Sequence, residues 1–100
     1  MEFMITAYDG VDAEAPARRQ AARAEHLRFF EEFYRLGIFR YGAAILDEAG
    51  NMIGSLVVCD FPSRRDMEEQ WLQHEPYMTG GVWKRLEIQP VRTPPFIPRV

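Results

Sequence analysis

Residues 52–60 constrain the fold of this chain more than any other segment. The run has the length of a β-strand and is apolar on both alternating sides, with Leu56 and Val58 on one and Val57 and Cys59 on the other. A strand of that kind must be covered on both faces. Residues 2–8 read as a companion strand, Phe3, Ile5 and Ala7 alternating with Met4, Thr6 and Tyr8, and Asp9-Gly10 ends it as a turn. Pro16 suits the first turn of a helix, and from there to Leu36 the period is helical. Ala22, His26, Phe30 and Phe33 form one stripe with Leu27 and Tyr34 beside it, while Arg18, Glu25, Arg28, Glu32 and Arg35 lie mostly opposite. Gly37 stops the helix.

Residues 38–47 read as a second strand, and 47–51 as the hairpin loop that returns the chain into 52–60. Phe61-Pro62 breaks that strand, and Ser63-Arg64-Arg65-Asp66 is an N-capping segment. A second helix carrying Met67, Trp71 and Leu72 ends before Pro76. The last strand, 82–91, sets Val82, Lys84, Leu86 and Ile88 against Trp83, Arg85, Glu87 and Gln89. The order βαββαβ predicts an α+β fold: a four-stranded antiparallel sheet with two helices on one face. Two helices leave the other face bare, and a large apolar patch in water calls for cover. A symmetric partner whose sheet packs on this one supplies it, so a homodimer is expected. The tail 93–100 is proline-rich yet bears Phe96 and Ile97. It is either an extended arm, lying on the partner or on its own sheet edge, or a frayed terminus. The domain proper is then 1–92.

The 100 residues make one domain, and an apolar fraction of 47% rules out a disordered chain. Net charge is −3, which argues against phosphate-backbone binding and hence nucleic acid. No window approaches the ~18 apolar residues that span a bilayer. Met1 to Ile5 lacks the basic stretch of a signal peptide. Cys59 is the sole cysteine, which excludes an internal disulfide and a cysteine-cluster zinc site. A cytoplasmic protein is expected.

Among residues that carry chemistry, His26 stands out, because an inward position on an apolar helix is given to an imidazole. It reads as a general acid or base, or as a core histidine satisfied by a backbone carbonyl. Arg23, three residues earlier, can reach the same space and hold an anion or enolate oxygen, or can be solvated. Glu75 precedes a proline at the exit of the second helix. It can fix the tautomer of His26, or cap the turn that Pro76 begins. Tyr77 offers a phenol to a developing oxyanion, or fills space under the turn. Gly80-Gly81 permits a backbone conformation closed to other residues, or close approach of a ligand. Gly54 interrupts a bulky strand, a sign of close approach, and Ser55 can present its hydroxyl to a ligand.

His74 is expected to point outward, Asp47 and Asp60 to be solvated, and Cys59 to be buried and inert. No spacing supports a metal site built on His26, Glu75 and Asp60. The Phe29, Phe30, Phe33 and Tyr34 cluster reads as core, and no glycine-rich phosphate loop is present, so no cofactor is expected.

Three groups of residues, taken in order, carry a resemblance. They are Arg23-x-x-His26-Leu27, then Leu46-Asp47-x-x-Gly50-x-x-x-Gly54-Ser55, then Pro76-Tyr77-x-x-Gly80-Gly81-Val82-Trp83 with Ile88-x-Pro90. The chain resembles the YciI-like (YCII-related) family of dimeric α+β barrel proteins over nearly all of 1–92. The resemblance implies a ferredoxin-like fold, a dimer through the sheets and a pocket between helix and sheet. It implies a catalytic histidine–acid pair, the histidine at His26 and the family's aspartate replaced by Glu75. The family's usual Gly-Pro ahead of the hairpin is Ala43-Ala44 here, and its tryptophan after the last proline is Val91. Some relatives are similar to lyases that dechlorinate hydroxylated aromatic rings. Two functions follow as expectations. One is a cofactor-free lyase or isomerase in which His26 and Glu75 act on a small oxygenated or aromatic substrate held by Arg23, Ser55 and Tyr77. The alternative is a non-catalytic dimeric module that binds a small ligand or a protein.

Overall fold

The computed structural model describes residues 1–97. The elements are β1 (Glu2–Asp9), α1 (Ala15–Arg35), β2 (Phe39–Leu46), β3 (Met52–Asp60), α2 (Arg64–Gln70), α3 (Pro76–Thr79) and β4 (Trp83–Val91), with a 3-10 turn at Leu72–His74. The strands form one antiparallel sheet in the order β2-β3-β1-β4, the ferredoxin-like arrangement of a βαββαβ chain. Rows across the sheet build the core: Phe3 opposes Cys59, and Ile5 opposes both Val57 and Ile88. Phe30 and Phe33 of α1 and Met67 and Trp71 of the second helical segment close over these rows. Phe39 ties them together, edge-on to Trp71 at 4.8 Å and stacked with Phe33 at 5.0 Å.

Local chemistry sets the helix ends. Gly37, at φ 77°, ends the turn that follows α1. Ser63 caps α2 as its spacing predicts, accepting from Asp66 N at 3.1 Å. The second helix does not run unbroken to Pro76. Its chain leaves helical geometry at Trp71, makes the 3-10 turn, and turns extended at Glu75, φ −59° and ψ 125°. A residue before proline is pushed out of the α region, so Glu75 cannot continue a helix. It becomes the N-cap of a new one-turn helix with Pro76 in its first turn.

One assignment on β4 is corrected by the register. Alternation from Leu86 and Ile88 puts Trp83 on the far face, yet Trp83 is buried in the core with them. Tyr8 opposes Arg85 but Asp9 opposes Trp83, so Lys84 is an extra residue that resets the parity. A second shift, between Phe39 and Tyr41, makes Arg40 the extra residue on β2. Gly54 does mark a close approach, but of the protein's own backbone: a Cβ there would collide with the carbonyl oxygen of Ala7.

The helix-free face carries Met4, Thr6 and Tyr8 of β1, Leu56 and Val58 of β3, and Tyr41 and Ile45 of β2, all partly or fully exposed. At the far end of the sheet, Thr93 N donates to Glu2 Oε2 at 2.9 Å and holds the tail beside β1. Beyond it Phe96 is 81% exposed, so this part of the arm leaves the chain's own sheet uncovered. The arm's last residues, 98–100, lie outside the described residues. Among the described residues, no helix is long and apolar enough to cross a membrane.

Candidate active site

The site is assembled where α1 crosses the Glu75–Tyr77 corner above β3. Glu75 has no solvent exposure, and its carboxylate receives donors from three elements. Trp71 Nε1 donates to Oε2 at 2.7 Å, Tyr77 N donates to Oε1 at 3.3 Å, and His26 Nδ1 bonds the same Oε1. An indole N–H and a peptide N–H can only donate, so the oxygens must accept. Nδ1 of His26 is thus turned to the carboxylate, and Nε2 is the ring nitrogen left for another partner. The Glu75 side chain both caps α3 and contacts His26, the two contacts that its sequence readings name.

His26 is 8% exposed and stacks on Tyr77, ring centroids 3.8 Å apart and 10° from parallel. Trp83 lies edge-on to both rings, at 6.0 Å and 5.6 Å. Burial raises the Tyr77 phenol above its ordinary value, against the opposing pull of Arg19 and Arg23, so it stays a neutral donor near pH 7.

A second cluster adjoins the first. Arg19 is buried, and its Nη1 donates to both oxygens of Asp9 at 2.9 Å. Its Nη2 donates to Gly54 O and Ser55 Oγ, each at 3.0 Å, and its guanidinium lies 4.7 Å from the Tyr77 ring centre. Trp83 Nε1 donates to the same Ser55 Oγ at 3.2 Å. Sequence reasoning missed Arg19, Asp9 and the indole of Trp71. The signals were there: Arg19 extends the Ala22–His26 stripe back by one turn, Asp9 continues the inward parity of Phe3, Ile5 and Ala7, and Trp71 stands four residues before Glu75.

A cavity of about 320 Å³ opens between α1 and β2–β3, bounded by Arg23, His26, Ser55 and Tyr77 with Phe30 and Gly42. The four candidates named for catalysis and binding on these elements thus share one space, and Glu75 stands behind His26. A wider groove of about 1050 Å³ shares Arg19, Arg23 and Met52 with it. Arg23 is exposed and makes no hydrogen bond or ion pair among the described residues, so its charge is available at the mouth.

The remaining candidates stand apart. His74 is exposed, and Asp47 folds back on the hairpin, accepting from Ala49 N and Asn51 N at 2.9 Å. Asp60 pairs with the N-terminal amine at 3.0 Å. No group of three or more histidine, cysteine, aspartate or glutamate side chains among the described residues is placed to hold a metal.

The sequence matches the YCII-related domain family over residues 1–92. The chain belongs to the YCII-related family. None of the curated proteins matches the chain. Solved structures do. The 5-chloro-2-hydroxyhydroquinone dehydrochlorinase of Burkholderia phenoliruptrix, in complex with 2,5-dihydroxybenzoquinone, is 18% identical with a TM-score of 0.79, over 92% of this chain and 94% of that one. Muconolactone isomerase is 20% identical with a TM-score of 0.64, over 100% of this chain and 98% of that one. A NIPSNAP domain protein from Burkholderia xenovorans is 13% identical with a TM-score of 0.53, over 98% and 99%. At these identities the likeness concerns the fold, which this YCII-related chain shares with the dehydrochlorinase and the isomerase.

Proposed function

We propose that this YCII-related protein is a cofactor-free lyase or isomerase that moves a proton on a small oxygenated ring. The observation that carries the reading is a fully buried carboxylate on Nδ1 of a histidine that borders a cavity of about 320 Å³. His26 Nε2 is the exchanging atom, acting as base toward an acidic C–H or O–H and returning the proton to another position or to water. Glu75 keeps the ring oriented and stabilises the imidazolium that forms. Arg23 and the neutral Tyr77 phenol steady the charge that develops on a substrate oxygen. Two structural neighbours are named for chemistry on a hydroxyhydroquinone and on muconolactone, which supports an oxygenated ring as the substrate class.

The test is turnover of chlorinated hydroxyhydroquinones and muconolactone by the purified protein and by His26→Ala. Loss of one acid–base group lowers rate by ~10²–10⁴-fold, so turnover unchanged by the substitution rejects the assignment.

A second reading, a non-catalytic binding module, draws on Glu75 capping α3 and tying down Trp71. Under it, His26→Ala lowers thermal stability more than it lowers ligand affinity. Assembly belongs to the same proposal: the helix-free sheet face is covered by a second copy, making a homodimer of the α+β barrel kind. A cytoplasmic location fits the single buried cysteine and is tested by cell fractionation.

A further inference from the structure

The Ser55 hydroxyl is unusual in how its bonding capacity is used. A serine oxygen has two lone pairs and one proton. Both lone pairs are taken, one by Arg19 Nη2 at 3.0 Å and one by Trp83 Nε1 at 3.2 Å. Guanidinium and indole nitrogens donate and have no capacity to accept, so neither can receive the serine proton. Among the described residues no other group receives it. Ser55 is itself buried, so bulk water is not at hand, yet it lines the cavity beside His26 and Tyr77. The Asp9 carboxylate holds Arg19 by two bonds to Nη1, which leaves Nη2 aimed at Gly54 O and Ser55 Oγ.

We infer that Ser55 is a donor-only contact on the floor of the cavity, and that it selects ligands whose inward end carries an acceptor oxygen: a carbonyl, a carboxylate or a phenolate. The inference rests on the reading that this cavity receives substrate, and it narrows the substrate class. A chain of donors runs from the buried guanidinium through the hydroxyl to the ligand, each bond polarising the next. A ligand presenting only hydrocarbon to the floor leaves the proton unpaired in a buried place, and that is the source of discrimination. Arg19, Asp9 and Trp83 are positioning residues in this scheme, because they act through Ser55.

Two measurements test it. The first compares binding of 2,5-dihydroxybenzoquinone, rich in acceptor oxygens, with binding of toluene, which has none, to the native protein and to Ser55→Ala. Ser55→Ala is expected to weaken the quinone roughly tenfold and to leave toluene bound as tightly as before or more tightly, since no buried proton is then left unpaired. An equal loss for both ligands, or no loss for the quinone, overturns the inference. The second is a ligand-free crystal structure at a resolution that orders water, which stands even if Ser55→Ala does not fold. A water oxygen ~2.7–2.8 Å from Ser55 Oγ on the cavity side, with the Arg19 and Trp83 bonds kept, supports it. A hydroxyl that donates to a main-chain carbonyl instead overturns it. Native protein that binds neither ligand counts against the proposed substrate class, and the crystal structure then decides the role of Ser55 alone.

Discussion

His26, Glu75, Arg19 and Asp9 are polar side chains in places where apolar ones would pack, and each is held by a specific partner. The Arg19–Asp9 pair is almost fully enclosed, with side chains 7% and 5% exposed. Removing one member of such a pair leaves an uncompensated buried charge, so Asp9→Ala is expected to cost about 3–5 kcal/mol in a urea unfolding titration. A cost under about 1 kcal/mol would mean that water reaches Arg19 freely. Cys59 behaves in the opposite sense. Its thiol is fully buried, and desolvation raises it from 9.0 to about 12. The unfolded thiol ionises first, so its contribution to stability is full below pH 9 and is lost as pH rises toward 12. Native protein should therefore resist iodoacetamide at pH 8, with mass spectrometry reading the adduct; rapid labelling would contradict the buried placement.

At the scale of elements, the corner between α2 and β4 places the catalytic candidates. The chain leaves helical geometry at Trp71 and turns extended at Glu75, so α3 starts at Pro76 with Tyr77 stacked on His26. Ser63→Ala removes the cap of α2 and should cost about 0.5–2 kcal/mol, read as a drop in unfolding temperature. On the facing wall, a Cβ at Gly42 would overlap the Phe30 ring. Gly42→Ala is thus expected to push α1 outward, with a cost of about 1–3 kcal/mol and a changed affinity for any cavity ligand. Unaltered stability would show that Phe30 turns aside without strain. The corner and the capping serine were legible because proline and serine act locally. The side of the sheet that Trp83 occupies was not, because the extra residue Lys84 is defined only by what β1 offers across the ladder.

For the whole molecule, the open question is the face that the helices leave bare. Its Met4, Tyr8, Leu56 and Val58 side chains are only partly buried in the single chain, and Tyr41 is exposed. Sedimentation velocity at micromolar concentration should show a dimer, and Val58→Lys, at the middle of β3, should shift it to monomer. A stable native monomer would leave the apolar parity of residues 52–60 without its expected cover. The site borders the opposite, helix-covered face, so cavity binding by a monomeric Val58→Lys variant would separate assembly from ligand recognition.

The sequence by itself determined the order βαββαβ, the helix stops at Gly37 and before Pro76, the burial of Cys59, and the choice of His26 and Glu75 as the acid–base candidates. Those features follow from periodicity and from residues whose preferences act within a few positions of chain. The tertiary structure alone decided that Trp83 and Arg19 converge on Ser55 and that Asp9 neutralises a buried guanidinium. It also decided that one carboxylate serves His26, Trp71 and the first turn of α3. Apart from the Trp71 and Tyr77 bonds to Glu75, these are contacts between segments separated by 10 to 49 positions, and they depend on strand register, which a one-residue shift reverses.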